Sequence, residues 1–141
     1  MANKKIILTK AILLLFAFLI SGCTFTTHTI KHPQFKIDLD EMAKNLQALL
    51  SFEHVNVDGM ETTTNGKSSS ELEADILNAT TVSSDDSTLS ILRKNIAKQL
   101  KEALKDPNAF NTYKILFVTK ETDGAITKTS SKGNVFKSED L

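Results

Sequence analysis

The chain has a single cysteine and no excess of either charge. Its 141 residues contain Cys23, no tryptophan, and 17 residues each of basic and acidic type. One cysteine cannot form a disulfide within the chain, so an exported domain must be stabilised by its hydrophobic core. The neutral balance does not indicate nucleic acid as a partner. No glycine-rich phosphate loop, metalloprotease motif or dinucleotide fingerprint is present, and we expect neither a cofactor nor a nucleic-acid partner.

The chain also has no hydrophobic run long enough for a typical transmembrane helix. The longest uninterrupted stretch near the N terminus is Ala11–Ile20. As a helix it would span about 15 Å, half of a bilayer core. Lys4 and Lys5 precede it, and small residues follow it. Positive charge, a short apolar core and small residues, in this order, indicate a secretory signal.

The run ends in Ile20-Ser21-Gly22-Cys23. This ending resembles the lipobox of bacterial lipoproteins, in which an aliphatic and two small residues precede a cysteine. The resemblance covers residues 1–23. It implies that the Cys23 thiol carries a diacylglyceryl group, that cleavage follows Gly22, and that the new amine is often acylated; palmitate is an expected acyl group. Two or more acyl chains anchor a protein stably, so the implied partner is the membrane.

The residue after the cysteine bears on which membrane is used. In the lipoprotein family an aspartate there favours retention in the inner membrane, and this chain has Thr24. We therefore expect the outer membrane of a bacterial envelope. An ordinary secretory signal that is cleaved near a cysteine is the alternative.

Three segments follow from this interpretation: a signal peptide (1–22), a lipidated N terminus with a flexible tether (23–36), and one α+β domain (37–137). The tether assignment rests on threonines, two histidines and Pro33 without a sustained period. Residues 137–141 are expected to be a polar tail. Residues 23–141 carry 14 basic and 17 acidic side chains, a formal charge of −3. Their 119 residues suffice for one hydrophobic core.

Two segments have apolar residues at helical spacing. The first runs from Asp38 to Phe52, and Asp38 with Glu41 resembles a capping pair. The second runs from Asp86 to Lys105. The predicted apolar stripes are Leu39, Met42, Ala43, Leu46, Leu49 and Leu50 in the first helix, and Leu89, Leu92, Ile96, Leu100 and Leu104 in the second.

Two hairpins are predicted. Asn65-Gly66 is a strong type I′ turn signal. With this turn as the loop, Gly59 faces Leu72 and Val57 faces Ala74, and one face becomes apolar. The second hairpin pairs Tyr113–Val118 with a polar return strand from Ala125 to about Phe136, which suits a sheet edge.

The predicted fold is α+β in the order α-β-β-α-β-β. We expect a four-stranded antiparallel sheet with two helices packed on one face. Its other face is left open to water or to a partner.

The predicted open face is acidic. It carries Asp58, Met60, Glu71, Glu73 and Asp75. In the predicted register Asp58 faces Glu73 and Met60 faces Glu71. Such a face could bind Ca²⁺ or a basic partner, or it could be a solvated face neutralised by lysines of a neighbouring strand.

Two other sets of residues have side chains that can take part in binding or catalysis. The second helix has a basic set, Arg93, Lys94, Lys98, Lys101 and Lys105. Such a set could bind anionic lipid or cell-wall polymer, or it could simply face solvent. His28, His32 and His54 lack the companions that a zinc site or a hydrolytic triad needs.

We predict no catalytic, cofactor or metal residues; the one predicted site residue is Cys23, for lipid attachment. The expected function is that of a non-catalytic interaction or accessory module that binds an envelope protein. A small ligand-binding or enzymatic domain and a cell-wall-binding lipoprotein are the alternatives.

Overall fold

Within residues 24–80 and 85–141, the residues that this computed structural model describes, two helices and five strands form an α+β domain. The strands are β1 (Thr26–Ile30), β2 (His54–Thr64), β3 (Lys67–Leu77), β4 (Thr112–Asp123) and β5 (Ile126–Lys137); the helices are α1 (Leu39–Gln47) and α2 (Asp86–Ala103). The predicted signal peptide and Cys23 lie outside the described residues. None of the described helices is long and apolar enough to span a membrane.

The β2–β3 hairpin has the predicted register. Thr64 pairs with Lys67 across the Asn65-Gly66 turn, and Gly59 pairs with Leu72. Both turn residues have positive φ, as a type I′ turn requires. Burial alternates along β3 from Ser70 to Leu77, so that every second side chain of this part of the strand is buried. The local turn and the alternation together fix this register.

The sheet has the order β1-β2-β3-β4-β5 and is mixed rather than antiparallel. The prediction of four antiparallel strands was wrong in both respects. β3 and β4 pair in parallel, from Glu71–Thr112 to Leu77–Val118. The reason is the position of α2, which lies between these strands in the chain. A helical crossover returns the chain to the end of the sheet at which β3 began, so the next strand runs the same way.

The fifth strand, β1, comes from the segment that we expected to be a flexible tether. It pairs antiparallel with β2, from Thr26–Thr64 to Ile30–Met60. The next residue continues this contact, because the Lys31 amide donates to the Gly59 carbonyl at 2.8 Å. Gly59 allows the approach: a Cβ there would lie 2.1 Å from the Lys31 carbonyl oxygen. β1 is thus held by the pairing of its main chain with β2, although all of its side chains are exposed.

The rest of the expected tether is also bound to the domain. Phe35 forms an isolated antiparallel bridge with Leu104 and packs partly against the core. The Lys36 amide donates to the Ala103 carbonyl, and the Lys105 amide donates to the Gln34 carbonyl, both at 2.8 Å. Residues 25–36 thus follow the surface of the domain from β2 to the end of α2.

One hydrophobic core joins both helices to the sheet. β3 and β4 supply its floor: Leu72, Ala74, Ile76, Tyr113, Ile115 and Phe117. The helices cover it with Met42, Leu46, Leu89, Ile96, Ala97 and Leu100. The first helix is shorter than predicted, because it ends at Gln47, and Leu39 at its start is exposed. Leu50 beyond the helix still enters the core.

Arg93 is part of this buried side of α2 and not of a basic solvent face. It is 4% exposed, its guanidinium lies 4.6 Å from the centre of the Phe117 ring, and it donates to Asn134 Oδ1 at 2.8 Å. Burial lowers the pKa of Arg93. Because Asn134 is in β5, this contact ties the polar edge strand to the helix.

The C-terminal residues are also better ordered than a polar tail. Ser138–Asp140 form a short 3₁₀ helix, and Leu141 packs partly against the core. Lys101 Nζ donates to the Ser138 carbonyl at 2.5 Å. Lys101 is therefore the second residue of the predicted basic set, after Arg93, that makes an internal contact.

Asp85 caps α2 and makes its stability depend on pH. Its carboxylate accepts from the Thr88 amide at 3.0 Å and from the side chains of Ser87 and Thr88. These hydrogen bonds, the one from Ser87 first, lower the pKa of Asp85 from 3.8 to about 2. A lowered pKa in the folded state means that the cap stabilises the domain above pH 3.8 and that this contribution is lost as the pH falls towards 2.

We expect Asp85→Ala to lower the midpoint of urea unfolding at pH 5, because α2 loses its N-cap. The difference from the wild type should shrink steadily between pH 4 and pH 2. Asp85→Asn is the matched control, because asparagine also caps helices but does not titrate. A difference between wild type and Asp85→Ala that is constant over this pH range would contradict the assignment.

Candidate functional site

The outer face of the sheet, opposite the helices, contains a groove of about 420 Å³. We call it the acidic groove; it is lined by Ile30, His32, Asp58, Gly59, Met60, Glu71 and Glu73. The strand registers explain its composition. Ile30, Met60 and Glu71 lie side by side across β1, β2 and β3. Asp58 and Glu73 form the next row. The predicted pairing of acids across the hairpin is therefore confirmed.

Each groove carboxylate already has a polar neighbour. Asp58 accepts from Asn56 Nδ2 at 2.6 Å, and Glu71 accepts weakly from Thr112 Oγ1 at 3.4 Å. Glu73 forms an ion pair with Lys114 Nζ at 2.5 Å. All three remain at least partly exposed to solvent. Such groups are held in place but are still available to a cation that approaches from solvent.

Lys114 partly neutralises the acidic face. It is directly opposite Glu73 in the parallel β3–β4 ladder. The hydrogen bond with Glu73 raises the pKa of Lys114, and the nearby Glu71 and Asp75 raise it further. One lysine against three groove carboxylates leaves an excess of two negative charges. This agrees with the expectation of lysines on a neighbouring strand, although the neutralisation is incomplete.

Asp75 follows Glu73 on the same face, but its carboxylate has fewer polar contacts than those of the groove. Among the described residues its Oδ1 atom has no hydrogen-bond partner and is buried. Burial raises the pKa of Asp75 above its ordinary value of 3.8, and Glu73 raises it further, while Lys114 lowers it. The ionised carboxylate of Asp75 therefore reduces the stability of the folded protein at pH values above this raised pKa.

The groove also has an apolar wall. Ile30 is 72% exposed and Met60 is 42% exposed, and they face each other across β1 and β2. A lysine or arginine side chain can lay its aliphatic stem along such a wall while its charged end meets a carboxylate. The groove therefore places an exposed apolar wall beside three carboxylates, which match the two parts of such a side chain.

The described residues do not form a metal site. No group of three or more His, Cys, Asp or Glu side chains in residues 24–80 and 85–141 is arranged to hold an ion. His28 instead shares a hydrogen bond of 3.0 Å with Thr62 Oγ1, and His54 is exposed at the start of β2, outside the groove. His32 alone of the three histidines lines the groove. The Ca²⁺ alternative thus receives no support from this part of the chain.

A second groove of about 540 Å³ lies between the helices. It is lined by residues of both, including Met42, Leu46 and Gln99, and by Lys36 and Ile37 of the preceding segment. Gln99 Oε1 is buried there and has no hydrogen-bond partner among the described residues. Charged residues of both signs line this groove, namely Lys36, Lys44 and Glu102. The lining of the acidic groove instead has three carboxylates and, among the described residues, no lysine or arginine.

Sequence reasoning found the acids of the groove but missed Ile30 and His32, because both lay in the expected tether. A signal was present. Residues 24–30 include five β-branched residues and Phe25, which is a composition typical of strands.

Comparisons with protein-family models, with curated proteins and with solved structures each found no match.

Replacing Asp75 by asparagine is expected to stabilise the protein at pH 7. The pKa of Asp75 is raised in the folded state, so the wild type loses stability as the pH rises from 3.8 through the raised value. Asp75→Asn removes the buried charge, and its advantage should appear above this range and be absent at pH 3. Thermal melting at both pH values measures this.

Asp123→Asn, at the exposed end of β4, controls for the loss of one charge. An Asp75→Asn variant that melts no higher than the wild type at pH 7 would show that the carboxylate is well accommodated.

Proposed function

We propose that this protein is a lipid-anchored protein of the bacterial envelope, held by Cys23 in the outer membrane, and that its domain binds a basic partner protein at the acidic groove. The observation that carries the binding proposal is the combination in one groove of three carboxylates with the exposed Ile30 and Met60. The anchor rests on the lipobox-like sequence Ile20–Cys23.

The electrostatics favour a protein surface rich in lysine or arginine. Asp58 directly faces Glu73, and like charges opposite each other are destabilising. A bound cation would relieve this repulsion. Because the groove is exposed, attraction to the partner should weaken as salt is added. The role is that of an accessory subunit without catalysis.

The paired carboxylates also favour a second candidate, the binding of a small organic cation. A groove of about 420 Å³ falls within the usual size range for small ligands. A polyamine such as spermidine tests this candidate. Saturable binding of spermidine at micromolar concentration, without binding of a basic peptide, would favour it over a protein partner.

The anchor is tested by Cys23→Ser in the full chain. We expect the variant to lose metabolic labelling by a fatty-acid analogue and to leave the membrane fraction, because the thiol is the attachment atom. Ser21→Ala keeps a small residue before the cysteine and should be labelled normally. Continued labelling of Cys23→Ser would show that the lipid is attached to a residue other than Cys23.

The groove is tested with a synthetic peptide of alternating lysine and leucine. Added to residues 23–141 with Cys23→Ser, it should shift the methyl NMR signals of Ile30 and Met60. Charge reversal by Asp58→Lys with Glu71→Lys should weaken binding at least about tenfold, since several charge contacts are lost. The matched control is Glu121→Lys with Asp123→Lys, which changes the net charge equally at the end of β4.

Equal losses in the two double variants would indicate a general charge effect and would contradict a specific groove. A photoreactive residue at position 60, compared with one at position 126, then identifies the partner in intact membranes. The same adduct from both positions would likewise count against the groove.

A further inference from the structure

Phe25 and the β2–β3 turn lie close together, although 40 residues separate Phe25 from Asn65 in the chain. Phe25 makes two hydrogen bonds with Asn65: its carbonyl accepts from the Asn65 amide at 3.0 Å, and its amide donates to Asn65 Oδ1 at 3.1 Å. Thr26 Oγ1 and Thr64 Oγ1 are 3.2 Å apart in the next pair. The chain is therefore fixed to the domain from Phe25 onwards.

This leaves almost no linker. Thr24 alone lies between Cys23 and Phe25. Two residues of fully extended chain reach at most about 7 Å. The polar layer on each side of a bilayer is about 5–7 Å thick. A lipid on Cys23 would thus hold the end of the hairpin at the depth of the headgroups.

The end of this hairpin suits such a position. We call it the proximal tip: Phe25, Thr64, Asn65, Gly66 and Lys67. Phe25 is 73% exposed, and Lys67, which follows the turn, is also exposed. No acidic residue occurs in 24–37 or in 62–70. An exposed phenylalanine can enter the boundary of headgroups and acyl chains, and a lysine is attracted to anionic headgroups.

We propose that the proximal tip docks onto the lipid surface that holds Cys23. The end of the β2–β3 hairpin then contacts the membrane directly, and no flexible tether separates the domain from it. This inference rests on the lipid anchor of the proposed function. It assigns Phe25 as the side chain that enters the membrane and Asn65 as the residue that fixes it to the domain.

The parallel pairing of β3 and β4 determines which part of the sheet lies farthest from the proximal tip. β3 leads away from the proximal tip, and β4 runs beside it in the same direction. Counted along β3 from Lys67 to Leu77, and along β4 from Val118 to Asp123, the two hairpin turns are about 50 Å apart at about 3.3 Å per residue. Ile126, next to the second turn and 66% exposed, therefore faces away from the bilayer.

Tryptophan fluorescence tests this orientation, because the chain contains no tryptophan of its own. Lys67→Trp and Ile126→Trp each place one indole near a hairpin turn. The full chain of each variant is expressed, and its lipidated product is reconstituted into vesicles of phosphatidylethanolamine and phosphatidylglycerol. The vesicles are made with or without brominated acyl chains, which quench indole on contact. We expect brominated lipid to quench about half of the Lys67→Trp emission, as for a side chain at the headgroup boundary, and to leave Ile126→Trp unchanged.

A second substitution separates docking from mere proximity. Phe25→Ser, added to Lys67→Trp, should reduce the quenching while leaving the melting temperature unchanged, because Phe25 is exposed. Quenching of Lys67→Trp that is absent, equal to that of Ile126→Trp, or unaffected by Phe25→Ser would overturn the proposal.

Mass spectrometry of the same samples reports whether Cys23 carries lipid. If it does not, the proposed anchor fails, and the free Cys23 thiol of the same chain is then coupled to a maleimide phospholipid. The quenching pattern of that coupled protein decides the docking proposal independently of how the lipid was attached.

Discussion

β3 and β4 pair in parallel, and this pairing joins two hairpins that are far apart along the chain. It brings together the two buried rows on which both helices pack, Leu72 to Ile76 and Tyr113 to Phe117. It also places Lys114 beside Glu73 on the outer face, and it sends the two hairpin turns to opposite ends of the sheet. The hydrophobic core, the net charge of the groove and the placement of the two hairpin turns at opposite ends of the sheet all depend on this pairing.

Features of the fold set by neighbouring residues could be predicted from the sequence, whereas those set by distant contacts could not. The Asn65-Gly66 turn fixes the β2–β3 register, because its signal is local and the alternation supports it. β1 pairs with residues 30 or more positions away and buries no side chain, so no hydrophobic alternation reveals it. The parallel pairing depends on where α2 returns the chain, which periodicity does not specify.

Arg93 and the groove show the same limit at the level of side chains. Arg93 lies four residues after Leu89 and three before Ile96, within the buried stripe of α2, but its charge suggested solvent. The buried guanidinium of Arg93 contacts the Phe117 ring of β4 and donates a hydrogen bond to Asn134 of β5. The groove acids were predictable from one hairpin, whereas its apolar wall needs Ile30 of β1. A site assembled from adjacent strands is only partly visible in any one of them.

The two proposed surfaces place constraints on each other. The acidic groove lies along β3 from Glu71 to Glu73, four to six residues from Lys67 at the turn. At about 3.3 Å per residue this is roughly 13–20 Å along the strand from the proximal tip. If the tip rests on the headgroups, the groove opens sideways just above them. A partner must then present its basic side chains at that height, which favours a protein that is itself attached to the membrane.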